Sequence, residues 1–347
     1  MGRTTVSTGR ARNATLQSIA AATGVSRQTV SNVLNDPARV APATRRIVEA
    51  EIRRVGYRPS AAARQLRTRR SGLLGYRMHR AADGINGTVL DRLLHAVTAR
   101  AADRGYRVLL FEAADDEVEI ARFAELRATY SLDGFLLTST ARGDRRPTWL
   151  AEQGIPFVVF GRPWGSGTDG NAVAAHDWVD VDGRAGTLEA TRSLLAEGAR
   201  KIAFVGWPEG SEVGDDRHAG YRDALIDAGE VVDPVLEVRQ EDGVAEGAAA
   251  AASLMERGAD AFVCVSDTLA LGVAAHLRIG GRPDLLGRTI GFDDTPVAQA
   301  LGLSSVDQPL EQVAQVMVDR IVARIETSAD QLSPLPQELL PPTVRRR

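Results

Sequence analysis

Cysteine is nearly absent from this chain of 347 residues, Cys264 being the only one. A disulfide within one chain is therefore excluded, and the apolar run AFVCVSD around it reads as a buried strand with an inert thiol. No stretch of 18 or more apolar residues occurs, which excludes an ordinary membrane-spanning helix. The opening MGRTTVSTGRARNATL lacks the apolar centre of an export signal, so a cytoplasmic location is expected. Catalytic signatures are missing as well. There is no G-x-S-x-G elbow, no G-x-x-x-x-G-K-[ST] loop and no H-E-x-x-H helix. The Gly-rich GWPEGSEVG has no lysine to cradle a phosphate, Lys201 being the only lysine of the chain. His79, His95, His176, His218 and His276 are scattered without metal-ligand spacing. Asp293 and Asp294 look like a carboxylate pair, but neighbours in an extended segment point apart and cannot readily flank one bond. No catalytic residue, metal or cofactor is expected.

What is present is a strong asymmetry of charge. Residues 1–70 hold 14 arginines against Asp36, Glu49 and Glu51, a formal +11; the whole chain is −3, which leaves −14 for the remainder. One part should seek a polyanion and the other should not. Residues 1–13, rich in Gly, Ser, Thr and Arg without periodicity, read as a disordered basic tail.

From Leu16 the apolar spacing becomes helical. Leu16, Ile19 and Ala20 share a face that ends at Thr23-Gly24, where glycine can supply a positive φ. A second short helix opens at Ser26, an N-cap residue, and stops before NDP. A third is expected over Pro42 to Val55, with Ile47, Val48, Ile52 and Val55 available to close a small core. Two short helices around a Gly-containing turn form a helix-turn-helix, whose second helix enters the DNA major groove. In VSRQTVSNVLND the apolar Val25, Val30, Val33 and Leu34 share one face, with Val30, Val33 and Leu34 turned inward. Arg27 and Gln28 then project from the first turn, and Asn32 lies four residues beyond Gln28. Arg can fork to guanine O6/N7, and Gln or Asn to adenine N6/N7. Thr15, Thr29 and Ser31 suit phosphate oxygens. Residues 59–70 contain AAARQL, barely two helical turns, which needs a partner to fold.

ATLQSIAAATGVSRQTVSNVLND, VAPATRRIVEAEIRRVGYRPSAAARQL and the GLLGY strand resemble the lactose/galactose-repressor (LacI/GalR) family of transcription regulators over nearly the whole chain. The resemblance implies a repressor that is a homodimer on a palindromic operator. Its hinge helix would form on DNA and wedge Leu66 into a central base step, a recognised use of leucine in the minor groove. The expected DNA contacts are Thr15, Ser26, Arg27, Gln28, Thr29, Ser31, Asn32, Tyr57 and Leu66. No heptad tail follows PPTVRRR, so a dimer is preferred to a tetramer.

Beyond residue 71, short apolar runs alternate with amphipathic stretches, the pattern of parallel α/β sheets. Fold class is thus an all-α helix-turn-helix headpiece (14–58), a hinge (59–70) and an α/β body (71–347). The body resembles the periplasmic sugar-binding fold: two doubly wound lobes, lobe 1 over about 71–170 and 303–335 and lobe 2 over about 171–302. Ligands in such sheets bind beyond strand C-termini, so the cleft between lobes is the expected site. Strand ends and their loops offer Arg162, Trp164, Trp207, Glu209, Arg217, Asp267 and Asp293. The resemblance assigns effector contacts to Arg217, in R-x-x-G-Y, and Asp293, in FDDT, and makes Asp294 structural. Asp267 could equally be an N-cap. Gly183 stands where the family commonly has Asn after Asp182.

Trp, Arg and acids in these loops favour a neutral carbohydrate over a purine or phosphosugar. The phrases FGR, WVDVDG and GWPEGS look similar to those in regulators of oligosaccharide or glycoside use from high-GC actinobacteria, and the preference for Arg over Lys fits. A cellobiose-like glycoside is the expected effector. The alternatives are a non-enzymatic sugar receptor and a co-repressor-dependent regulator of purine type.

Overall fold

The computed structural model describes residues 14–57, 70–78, 87–165, 176–327 and 336–347. The basic tail, nearly all of the hinge with Leu66, and His79 lie outside the described residues. The chain divides into two compact units, Met1–Ser71 and Gly72–Arg347.

The first unit holds α1 (Leu16–Thr23), α2 (Arg27–Asn35) and α3 (Pro42–Val55). Thr15 starts α1 with a capping box: its hydroxyl accepts from Ser18 N while Ser18 Oγ accepts from Thr15 N. Gly24 ends α1 at φ 68°, a left-handed cap that glycine adopts without a Cβ clash. Ser26 caps α2 by accepting from Thr29 N. Ile19, Ala20, Val30, Val33 and Val48 form the buried core, edged by Leu16, Val25, Ile52 and Val55. Ile47 departs from expectation: it is 56% exposed, because its neighbour Val48 already fills the inward position of α3.

The second unit contains β1 (Leu73–Arg77), α4 (Thr88–Asp103), β2 (Arg107–Phe111), α5 (Asp116–Tyr130), β3 (Gly134–Leu137), α6 (Arg146–Glu152), β4 (Phe157–Phe160) and β5 (Trp178–Val181). There follow α7 (Gly183–Ala196), β6 (Ile202–Gly206), α8 (Glu212–Asp227), β7 (Glu237–Arg239), α9 (Val244–Glu256), β8 (Ala261–Cys264), α10 (Asp267–Ile279) and β9 (Thr289–Phe292). The chain closes with α11 (Pro296–Ala300), β10 (Ser304–Asp307), α12 (Leu310–Glu326), β11 (Gln337–Leu340) and β12 (Thr343–Arg345).

Among the described residues these strands make two six-stranded sheets, in the orders β11-β5-β4-β3-β1-β2 and β12-β10-β9-β8-β6-β7. All pairings are parallel except β10 with β12. Parallel strands covered on both faces should be apolar throughout, and β3, β6, β8 and β9 are buried along their whole length. The first sheet is covered on one face by α4 and α12 through Leu93, Val97, Met317 and Ile321, while Phe123, Phe135 and Leu150 form a second apolar cluster with β4.

Two lobe assignments need correction. β5 was expected in lobe 2 but pairs with β4 in the first sheet, so the turn-rich segment after Gly161 is an insertion before a lobe 1 strand. β10 was expected in lobe 1 but pairs with β9, so the chain crosses back at Gln308-Pro309, one strand later than expected. A third link runs through β11 and β12, one in each sheet.

Candidate functional site: a polar helix edge and a cavity between two lobes

In the first unit, Arg27 and Gln28 are exposed on α2 and Asn32 is half-buried. Gln28 Nε2 donates to Asn32 Oδ1 at 2.8 Å, which joins the two amides into one polar edge. Thr29 Oγ1 lies 2.9 Å from Ser26 Oγ and Ser31 is half-buried. Thr15 Oγ1 accepts from Ser18 N in the helix cap, which leaves its own O–H to donate. Tyr57 packs its ring against the module's core, so it contributes to folding as well as standing near the surface.

In the second unit a cavity of about 290 Å³ opens where the C-terminal ends of the two sheets face each other. Lobe 1 contributes Thr140, Arg162, Trp164 and Asp180, and lobe 2 contributes Trp207, Asp216, Arg217, Asp242 and Asp293. Arg162 ties the two halves. Its Nε donates to Asp180 Oδ2 at 2.7 Å and its Nη2 donates to Asp216 Oδ2 at 3.2 Å. The same guanidinium stacks 4.8 Å from the Trp164 ring, whose Nε1 donates to Thr140 Oγ1. A second bridge runs from Arg142 N to Glu212 Oε1 at 2.9 Å.

Arg217 is buried in α8. Its Nη1 donates to Val265 O at 2.6 Å and lies 3.8 Å from Asp293 Oδ1, and its guanidinium sits 3.6 Å above Phe292. Loss of water lowers its basicity, opposed by the attraction of Asp293. Gln308 Nε2 donates to Asp293 Oδ1 at 2.7 Å. Burial pushes the Asp293 carboxyl up to about 7 against the pull of Arg217, and burial raises Asp216 as well. Two buried donors, Arg217 Nε and Trp207 Nε1, have no protein acceptor. Both arginine cations are committed to acids of the protein, and the carboxylates outnumber them. Such a wall suits a neutral polyhydroxyl ligand, whose hydroxyls donate to carboxylates and whose ring faces lie on indoles, better than an anion.

Residues 89–333 match the family described as periplasmic binding proteins and sugar binding domain of LacI family, and residues 15–60 match bacterial regulatory proteins, lacI family. The chain belongs to the LacI family. Its relatives include the HTH-type transcriptional regulator CelR of Thermobifida fusca, 34% identical over 328 residues, or 90% of this chain and 93% of that one. A solved CelR–cellobiose complex is 30% identical with a TM-score of 0.68 and covers 96% of this chain and 98% of that one. A LacI-family regulatory protein from Chloroflexus aggregans is 32% identical with a TM-score of 0.70, covering 79% and 97%. This LacI-family chain is thus a helix-turn-helix transcription regulator with a sugar-binding body.

Of the expected effector residues, Arg162, Trp164, Trp207, Arg217 and Asp293 meet at the cavity. Glu209 is exposed on the loop after β6 and is not part of the wall. Asp267 is also outside it, and it is not a cap: Ser266 caps α10, while Asp267 accepts from Thr295 N and Ser305 Oγ, both at 2.6 Å. Its burial raises its carboxyl to about 6. Asp293 and Asp294 are not extended, as expected, but stand at φ 107° and 46°. Asp294 is structural, bonded to Gln299 and Arg347.

Asp180, Asp216, Asp242 and Gln308 were not foreseen. Asp180 carried a signal, an acid inside the apolar strand WVDV, and Asp216 adjoins Arg217 in sequence. Asp242 and Gln308 follow short strands whose partners only the sheet order reveals. Asp182 caps α7 through Ala185 N, so the Gly183 replacement leaves that bond intact.

Proposed function

We propose that this regulator is a cytoplasmic, non-enzymatic repressor of carbohydrate-utilisation genes, released from a palindromic operator by a neutral disaccharide of the cellobiose type. The observation that carries the reading is the cavity itself: about 290 Å³, walled by Trp164 from one lobe and Trp207 from the other, with its arginines already paired to Asp180, Asp216 and Asp293. Likeness to a protein solved with cellobiose supports the sugar class.

In this reading two headpieces of a homodimer place α2 in successive major grooves. Arg27, Gln28 and Asn32 meet base edges, while Thr15, Ser26, Thr29, Ser31 and Tyr57 face the backbone. Leu66 enters the minor groove between them. Sugar between the lobes shifts their angle and so withdraws the hinges. This requires the sugar to prefer the state that cannot grip DNA, since equal affinity for both shifts nothing.

A thermal-shift panel tests the ligand: cellobiose, its monosaccharide, a sugar phosphate and a purine base. Cellobiose should raise the melting point and be recovered unchanged, because it binds the native state alone. A response to the purine only, or none to any sugar, refutes the reading. On operator DNA, neutralising about eight phosphates predicts a slope of about −7 in log K against log salt. Leu66→Ala should weaken operator binding and leave sugar affinity intact; unchanged operator affinity removes the wedge.

A further inference from the structure

The Asp293–Asp294 turn is held in a backbone shape that neither residue prefers. Both stand in the left-handed region, which non-glycine residues occupy only where their surroundings over-determine it. The surroundings do so here from four directions, the first being Gln299 on α11, whose Nε2 donates to Asp294 O and Oδ2, both at 2.9 Å. From lobe 1, Arg92 on α4 donates through Nη1 to Asp293 O at 2.9 Å and to Asp294 O at 3.4 Å. From β10, Ser305 Oγ accepts from Asp294 N at 3.0 Å and Val306 O accepts from Asp293 N at 2.8 Å. From the residues beyond β12, Arg347 lies 2.6 Å from Asp294 Oδ1, donates to Oδ2 at 3.1 Å, and also donates through Nη1 to Leu303 O at 2.9 Å. Its backbone N donates to Ser304 Oγ, fixing the stem from which the guanidinium reaches.

Asp293 is the carboxylate that enters the cavity, yet its own side chain is anchored only by Gln308 and faced by Arg217. Its aim is therefore set by the backbone of the turn, and the Asp294 side chain is the handle by which Gln299 and Arg347 hold that backbone. We propose that Arg347 clamps Asp294 and so is a positioning residue for the effector-binding carboxylate Asp293. Arg347 touches no part of the cavity wall. Its effect on the effector passes through Asp294 and the peptide between the two aspartates, and this rests on the proposed sugar site only for the identity of the ligand.

The test uses the full-length chain and Arg347→Met, which keeps the aliphatic stem and removes the fork, with Arg347→Lys as the charge-retaining control. Hydrogen exchange over residues 292–299 reads the clamp without any ligand. Arg347→Met should speed exchange there about 10-fold, because the bond from Asp294 N to Ser305 Oγ opens more often, while exchange in β6 and β8 stays as in the parent. Isothermal titration with cellobiose should show binding weakened about 10-fold with operator affinity unchanged, as expected for loss of a charge-assisted fork that orients a binding group. Arg347→Lys should recover most of both effects. Unchanged exchange over 292–299 in Arg347→Met overturns the clamp, whatever happens to affinity. Faster exchange with undiminished cellobiose binding overturns the positioning role. Should the parent itself bind no cellobiose, the sugar reading fails while the exchange result still decides the clamp.

Discussion

Replacing Asp293 by Asn tests the electrostatics of the cavity directly. The carboxyl is displaced from an ordinary 3.8 to about 7 by burial, so the folded chain holds this proton more tightly than the unfolded one does. The sign follows: an acid raised on folding favours the native state at low pH, and stability falls as pH climbs from the unfolded value toward the folded one, then levels off. Between pH 5 and pH 8 the fall attributable to Asp293 is about 2 to 3 kcal/mol. Asn keeps the shape and still accepts from Gln308 Nε2, but does not titrate. Urea unfolding followed by tryptophan fluorescence is a suitable assay, because Trp149, Trp164, Trp178 and Trp207 all lie in the unit Gly72–Arg347. Relative to the parent, Asp293→Asn should therefore gain about 2 to 3 kcal/mol on going from pH 5 to pH 8. Parallel unfolding curves for the two proteins at both pH values would refute the reasoning.

Arg217→Ala should weaken cellobiose binding about 100-fold and abolish the effector response, because it leaves Asp293 buried without its cation, while operator binding survives; a normal response in a reporter assay removes Arg217 from the site. Gly183 does not have a left-handed backbone, so its lack of a side chain serves space: a Cβ would stand 3.1 Å from Arg217 Cγ and 3.3 Å from Asp216 Oδ2. Gly183→Ala should cost about 10-fold in cellobiose affinity by calorimetry, with little change on DNA. Gln28→Ala and Asn32→Ala should be non-additive in operator titrations, the double variant losing less than the sum by about 1 kcal/mol, since either change breaks the bond that joins the two amides. Strict additivity would separate them into independent readers.

The headpiece was legible because its signals are local. Caps at Thr15 and Ser26, the glycine at position 24 and the period-3.6 apolar face all act within a few residues, and α3 runs over the expected Pro42–Val55. Strand ends bearing Arg162, Trp207 and Asp293 were legible too, because parallel sheets collect such residues at one edge, whereas Arg217, inside α8, was legible only through its R-x-x-G-Y motif. Lobe membership was not. β5 and β10 each pair with the strand just before them, β4 and β9, as well as with β11 and β12, and no local period says that a strand joins its predecessor rather than opening the other sheet. Asp267 misled for the same reason: a helix-start acid looks like a cap until Ser305, 38 residues on, is seen to bind it. Ile47 shows the limit of the apolar period itself, since α3 buries only Val48 fully and leaves the adjacent Ile47 on the solvent side, a choice set by which neighbours pack against the helix.

The two short strands near the C-terminus bear on how the chain is made. β11 covers the outer edge of β5 and β12 covers that of β10. A nascent polypeptide that has emerged only through α12 has synthesised both lobes almost entirely, yet each would carry an open hydrogen-bonding edge of the kind that recruits stray strands. The three-helix module precedes both lobes in sequence and is synthesised before them. The remainder keeps β5 and β10 as exposed edges until β11 and β12 arrive and take the edge positions, where strands of only four and three residues offer a stray partner less to pair with.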